Sequence, residues 1–196
     1  NDDKALNRMG ATRPYILHIS RQSPRKNPEC ILQGFAEFRK KHPEFSLVCA
    51  GKGWDDEPIL NEVRRLALDT VYSAPGFITE EEAVELYNGA SAFVFPSHAE
   101  GFGMPNLEAM ASGCPVITSS IFAIPEVVAD AAILLQDQRN PLELSQALCR
   151  IVEDDDFRNT LRQKGLNRIR DFDWKESART LFTTYLELAS DAKISR

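Results

Sequence analysis

The sequence has no hydrophobic run approaching the roughly 20 residues that a membrane-crossing helix requires, so no segment reads as a transmembrane span. It also has no excess of positive charge. Lys and Arg number 23 against 29 Asp and Glu, a net charge of −6. That balance argues against the basic face of a nucleic-acid binder and against a polybasic membrane patch on this part of the chain. The four cysteines, Cys30, Cys49, Cys114 and Cys149, include no C-x-x-C pair, so no local zinc or redox motif is offered. Cys49 and Cys114 lie in or beside apolar runs, and the set reads as reduced, buried, small hydrophobes of a cytosolic protein. His18, His42 and His98 are too far apart for a metal-ligand spacing. Nucleophile-elbow and Walker A patterns are missing. Gly51-Lys52-Gly53 lacks the third glycine of a dinucleotide fingerprint. An initiating Met is missing too, and Asn1-Asp2-Asp3-Lys4 does not open a signal peptide. The expectation is a fragment or a processed chain.

What is present is an alternation of strand-like and helix-like segments over 196 residues, a length that fits one domain. Strands are expected at Pro14–Ser20, Phe45–Ala50, around Val71-Tyr72, and at Ala92–Pro96, Cys114–Ser119 and Ala131–Leu135. Helices are expected at Pro28–Lys41, Pro58–Leu68, Glu80–Asn88, Gly103–Ser112, one turn at Ile124–Val128, then Pro141–Glu153, Asp155–Arg170 and Trp174–Leu188. Asn27 and Pro28 suit a cap and a first helical position. Thr79 and Glu82 have the spacing of a capping box. Residues 1–12 read as an N-terminal extension. Strands that alternate with helices pair in parallel through crossovers. The fold class is therefore α/β: a doubly wound, Rossmann-like parallel sheet of about six strands in one domain, binding ligand at the carboxyl ends of its strands.

Two loops at that edge carry the chemistry. Phe95 to Pro115 reads FPSHAEGFGMPNLEAMASGCP. Gly101 and Gly103 allow backbone to approach a ligand closely, and the helix that follows presents free amides to an anion. Glu100 beside a phosphate would repel it, unless the ligand also carries hydroxyls that a carboxylate can accept from. Glu100 and Glu108 suit two polyols of one ligand. The competing reading leaves Gly101 and Gly103 shaping a turn and Glu108 on a solvated face. The loop after the first strand supplies Arg21, Arg25 and Lys26, a fork and a point charge suited to a diphosphate. Its competing reading is a solvated basic turn. His18, within an apolar strand, reads as a core histidine. His42 sits at a helix end, and His98 stays open as a ligand contact.

The stretch Glu100 to Val116, EGFGMPNLEAMASGCPV, closely resembles glycosyltransferase family four, with its paired-glutamate pattern EGFG-x-P-x-x-E-A-M-A-x-G-x-P-V. Arg21 and Lys26 have the family's spacing after the first strand. Pro75-Gly76-Phe77-Ile78, Pro125-Glu126-Val127-Val128 and Phe172-Asp173-Trp174 match further segments, so the likeness extends over nearly the whole chain. The resemblance implies the C-terminal, donor-binding domain of a retaining GT-B enzyme with UDP or GDP as the nucleotide. Arg21 and Lys26 would neutralise the diphosphate and Glu100 would hold sugar hydroxyls, these three forming the catalytic set. Backbone near Gly101, Phe102, Gly103 and Met104 would meet sugar and phosphate. Glu108 would hold the ribose, and backbone at Phe77 and Ile78 the base. No metal or other cofactor is implied. Ser20 and Ala123 stand where many relatives have Gly.

The implied partners are a nucleotide-sugar and an N-terminal acceptor-binding domain missing from these residues, toward which a helix over 172–190 would cross. Membrane contact, if any, would come through that other domain, at the inner face of the membrane of a cytoplasmic protein. The expected activity is hexosyl transfer in cell-envelope polysaccharide synthesis, with the isolated chain inactive. A non-catalytic nucleotide-sugar module or a sugar-nucleotide epimerase of the same fold are the alternatives, separable by nucleotide binding and by assay of the full-length protein.

Overall fold

The computed structural model describes residues 3–194, with side chains from 6 to 189. Six strands form one parallel sheet: β1 (Tyr15–Ile19), β2 (Ser46–Ala50), β3 (Tyr72–Ser73), β4 (Ala92–Phe95), β5 (Val116–Ser119) and β6 (Ile133–Leu135), in the order β3-β2-β1-β4-β5-β6. The chain winds one way from β1 to β3 and the other way from β4 to β6. The direction therefore reverses between β1 and β4, where a doubly wound sheet opens its ligand crevice. The pairing Tyr15↔Ser46 through Ile19↔Ala50 and the shorter β1–β4 register at Ile16↔Ala92 and Leu17↔Phe93 set these strand ends side by side. Buried from both faces, β2, β4 and β5 have no exposed position, as continuous apolar runs in a parallel sheet require.

Helices cover both faces. On one, α2 (Pro28–Arg39), α3 (Glu57–Arg65) and α7 (Pro141–Glu153) enclose a core with Phe35, Phe38, Val63, Leu144 and Leu148. α2 and α7 come close because Gly34 faces Leu144; a Cβ at 34 would lie 2.7 Å from Leu144 Cδ2. On the other, α1 (Asp3–Arg8), α4 (Glu80–Gly89), α5 (Met104–Ala111) and α6 (Ile124–Val128) bury Leu6, Leu86, Tyr87, Leu107, Met110 and Val127. α8 (Asp155–Arg168) packs against α5 and α7, and a short turn at Ile169–Asp171 leads to α9 (Trp174–Ile194).

The expected elements are all found, with shifted ends. β3 lies one residue later than Val71-Tyr72, and β6 starts at Ile133 rather than Ala131. The helix expected to Arg170 ends at Arg168 and tightens into the Ile169–Asp171 turn. The Thr79–Glu82 capping box makes both of its bonds. The four cysteines are free and buried, in line with the expectation. The residue 1–12 segment contains α1, which the sequence reading left without structure; Leu6 and Met9 anchor it.

Candidate functional site

The crevice at the β1–β4 switch point is built by two loops that pin one another. After β1 the chain passes Ser20 to Lys26 and turns into α2 at Asn27, which adopts a left-handed φ of 57°. Asn27 does three jobs. Its Oδ1 accepts from the Cys30 amide as an N-cap, and its Nδ2 donates to the carbonyls of Pro96, at 2.9 Å, and Gln138, at 2.6 Å. The backbone amide of His98 donates to the carbonyl of Arg25 at 2.8 Å. The loop after β4 is thus fastened to the loop after β1, and both are fastened to the segment before α7. The loop after β2 joins them through Gln22 N–H to the Lys52 carbonyl and Trp54 Nε1–H to the Ser20 carbonyl. Gly51 is obligatory in this arrangement: its φ is 115°, and a Cβ there would stand 2.1 Å from the Ser20 oxygen.

Behind the loops lies His18, fully buried. Burial lowers its pKa to about 4, so it is neutral near pH 7. Its Nδ1–H donates to the Val94 carbonyl at 2.8 Å, and its Nε2 is 2.7 Å from the Ser20 hydroxyl. The Ser20 hydroxyl therefore has a partner, and His18 is the satisfied core residue the sequence implied.

The charged residues meet at Glu100. Lys26 Nζ donates to Glu100 Oε1 at 2.6 Å, and Arg25 Nη1 lies 3.0 Å from the same oxygen and donates to the Ala99 carbonyl. The Lys26 and Glu100 side chains are about nine-tenths buried, at 10% and 9% exposure. Lys26 also stands over the Phe95 ring, 4.4 Å from its centre. Burial is the largest single influence and pushes the Glu100 carboxyl upward, but Lys26, with help from Ser97 and Arg25, holds the group below the usual range. Sequence reasoning assigned Lys26 to a phosphate and Glu100 to hydroxyls; in this structure the two hold each other. Arg21, on the same loop, is exposed and has no side-chain partner among the described residues.

Gly101, Phe102 and Gly103 cross from β4 to α5. Gly103 has φ 83°, and a Cβ on it would sit 2.8 Å from Asn106 Nδ2. A Cβ on Gly101 would meet nothing within 4 Å, so that position faces open space. Among the described residues, the amides of Phe102, Gly103 and Met104 meet no acceptor. They form the anion-ready end of α5. Asn106 is fully buried with neither amide atom paired. Sequence reasoning passed over it, since a polar residue between two apolar ones carries no such signal. Glu108 and Met104 line a groove of about 1030 Å³ between α5 and α9, together with Phe102, Phe172 and Trp174. There the Tyr87 hydroxyl donates to Glu108 at 3.1 Å, a link between α4 and α5 that the sequence did not announce. Phe77 and Ile78 stand on the loop after β3, which the hydrogen bond from Gly51 N–H to the Gly76 carbonyl ties to the β2 loop. Phe77 is 86% exposed. His98 is partly buried, held through its backbone.

The fold and this edge define a doubly wound, Rossmann-like α/β class of domain, with a basic loop and the start of a helix meeting at its switch point. Within that class, the chain belongs to the glycosyl transferases group 1 family, whose model matches residues 2–168. It is 33% identical over 176 residues to O-antigen chain mannosyltransferase B of Escherichia coli, a match that covers 87% of this chain and 45% of that protein. The chain thus spans less than half of that relative. Among solved structures it resembles sucrose-phosphate synthase from Thermosynechococcus elongatus, with a TM-score of 0.80 and 27% identity over 97% of this chain and 49% of that one. It also resembles the C-terminal domain of a group 1 family glycosyl transferase from Francisella tularensis, with a TM-score of 0.71 and 25% identity, covering 84% of this chain and 90% of that one. Among the described residues no helix is long and apolar enough to cross a membrane.

Proposed function

We propose that this chain is the donor-binding half of a two-domain, retaining hexosyltransferase that takes a nucleotide-diphosphate sugar. The observation that carries the reading is the convergence at the switch point: Lys26 and Arg25 on Glu100, Arg21 exposed on the same loop, and the amides of Phe102, Gly103 and Met104 opening α5 without an acceptor among the described residues. A diphosphate there would draw Lys26 and Arg21 to its oxygens. Glu100, released from Lys26, would accept hydrogen bonds from sugar hydroxyls. The amides at the start of α5 would meet the phosphate, and Gly101, facing open space, would let the sugar lie against the backbone. Glu108, held by Tyr87, would take the ribose hydroxyls, and the backbone at Phe77 and Ile78 the base. As the glycosidic bond breaks, negative charge grows on the leaving diphosphate, and the fixed cations stabilise it more than they stabilise the bound donor.

The reaction needs an acceptor, which a second domain would present across the crevice. α9 supports that arrangement. Trp174, Phe182 and Tyr185 are each more than half exposed along it, an apolar face larger than a solvated helix usually shows. This chain by itself is expected to bind donor and to transfer nothing. The name of the O-antigen chain mannosyltransferase relative supports a mannosyl donor and a polysaccharide product.

Calorimetry of the chain with UDP-, GDP- and ADP-sugars tests the reading. One base is expected to bind, and Glu100→Ala is expected to weaken the nucleotide-sugar while leaving the bare nucleoside diphosphate nearly unaffected. No binding of any nucleotide-sugar at millimolar concentration would sink it. Turnover by the isolated chain would overturn the two-domain requirement.

A further inference from the structure

His42, Cys149 and Glu153 are separated widely in sequence yet meet in the fold. α2 and α7 both begin at the ligand edge of the sheet, where Asn27 reaches the Gln138 carbonyl, and both end at the opposite edge. There the residue 40–45 turn brings His42 against the last turn of α7. Cys149 and Glu153 are four residues apart on that helix, so their side chains share a face. The donor atoms of the three residues all lie within 4.8 Å of one another, and His42 Nε2 is 2.9 Å from Glu153 Oε1.

The imidazole is held in place. It stacks on Phe38, with ring centres 4.9 Å apart, and meets the edge of Phe45 at 6.1 Å. Its other nitrogen, Nδ1, faces Glu44 at 3.6 Å. A carboxylate behind a ligating histidine is the arrangement that fixes its tautomer and raises its basicity. Cys149 is buried apart from an 8% opening, and beside it and Glu153 lies a groove of about 570 Å³ that gives an ion and its water a path in.

We propose that His42, Cys149 and Glu153 form a binding site for a zinc-class divalent cation, with water as the fourth ligand. One nitrogen, one thiolate sulfur and one carboxylate oxygen suit a borderline-soft ion of tetrahedral habit, and they exclude calcium and magnesium, which take oxygen cages. Binding replaces the Cys149 S–H bond with a sulfur–metal bond, and the proton leaves to solvent. Burial and then Glu153 hold the free thiol above its ordinary pKa, against the pull of Lys41. The cation reverses that balance by its own charge. Because the site lies at the edge opposite the donor loops, it ties the end of α2 to the end of α7 and has no part in sugar transfer. The proposal does not rest on the function proposed above.

The test uses the whole 196-residue chain after chelator treatment. Cobalt chloride is titrated while the near-ultraviolet thiolate-to-cobalt band is followed; zinc chloride then competes, and thermal melts are recorded with and without zinc. One cobalt per chain is expected, with a thiolate band, displacement by zinc at a Kd below about 10 µM, and a melting temperature raised by zinc. Cys149→Ser should remove the band and weaken zinc at least tenfold, and His42→Gln should weaken zinc at least tenfold while its circular dichroism stays that of the parent. Cobalt bound without a thiolate band, or zinc bound equally well by parent and Cys149→Ser, would overturn the site.

Discussion

Replacing Lys26 by Met tests the centre of the crevice, because the structure makes both the size and the pH dependence of the effect calculable. Lys26 and Glu100 are about nine-tenths buried and 2.6 Å apart. Losing one member of such a pair costs roughly 3–5 kcal/mol when the other charge is stranded. Glu100 is not wholly stranded, because Arg25 stays at 3.0 Å, though about half exposed. The loss of the cation over Phe95 adds up to about 1 kcal/mol. Lys26→Met is therefore expected to cost about 2–4 kcal/mol near pH 7. In the parent, the Glu100 carboxyl is held below its ordinary value. Its contribution is present above the unfolded-chain pKa, about 4.3, and is lost as pH falls through the lower folded value. In Lys26→Met the opposing push of burial prevails, the carboxyl rises, and it takes a proton at mildly acidic pH. The deficit should then shrink by at least about 1 kcal/mol between pH 7 and pH 4.5. Urea unfolding at the two pH values measures it, with a constant m-value as the control. The double variant Lys26→Met, Glu100→Gln removes both charges and should recover most of the loss. A deficit equal at both pH values and unrelieved by Glu100→Gln would mean that this pairing does not hold the two loops.

Gly51→Ala should destabilise the chain by more than about 3 kcal/mol, since the added Cβ meets the backbone oxygen of Ser20 and φ is positive; near-parent urea stability would show that the loops shift freely. Gly101→Ala should leave stability within about 1 kcal/mol, because its Cβ enters open space, yet weaken nucleotide-sugar at least tenfold in calorimetry; unchanged affinity would place the sugar elsewhere. Burial holds the thiols of Cys30, Cys49 and Cys114 above their ordinary pKa, Cys30 at about 12. At pH 8 a disulfide-exchange reagent should therefore label the native chain slowly, and all four cysteines promptly in urea; prompt labelling of three or more in the native chain would contradict the packing described.

Much of this molecule is legible in its residues, for a reason the strands make plain. Runs such as Leu47–Ala50 and Ala92–Pro96 are apolar throughout, and among short segments between helices that pattern fits a sheet covered on both faces. Thr79 with Glu82, and Asn27 with Pro28, mark helix starts because capping chemistry is local. What stayed hidden depends on partners distant in sequence. α1 is six residues long and shows no clear period; Leu6 within it and Met9 just after it pack in the same layer as α4, and Arg8 pairs with Glu82 of that helix. β3 is two residues long at the edge of the sheet, too short for any period. Tyr87 meets Glu108, and His42 meets Glu153, only once two helices are packed. The Lys26–Glu100 contact is of the same kind: the sequence names both residues as functional, but their distance follows from β1 and β4 being neighbours.

The hydrogen bonds of the crevice are unevenly spent, and that unevenness locates where binding energy can act. The loops after β1, β2 and β3 are closed by backbone bonds, from Ser20 to Ala50, Gln22 to Lys52 and Gly51 to Gly76, and the loop after β5 is held by the Ser119 hydroxyl on the Ser97 carbonyl. These bonds leave the loops little freedom to move, so that Arg21, Lys26, Phe77 and Ile78 are presented from fixed backbone. The segment from Glu100 to Asn106 differs. Its amides at 102–104 have no acceptor among the described residues, Asn106 is buried with its amide unpaired, and its one strong charge is matched internally. Each unsatisfied buried group costs about 1–3 kcal/mol. A rearrangement that pairs the Asn106 amide gains that amount back, while the amides at the exposed positions 102 and 104 stay open to an incoming anion. The rigid loops therefore serve as the frame. The Glu100–Asn106 segment is the part that an anion can reorder, with Lys26 exchanging one negative partner for another.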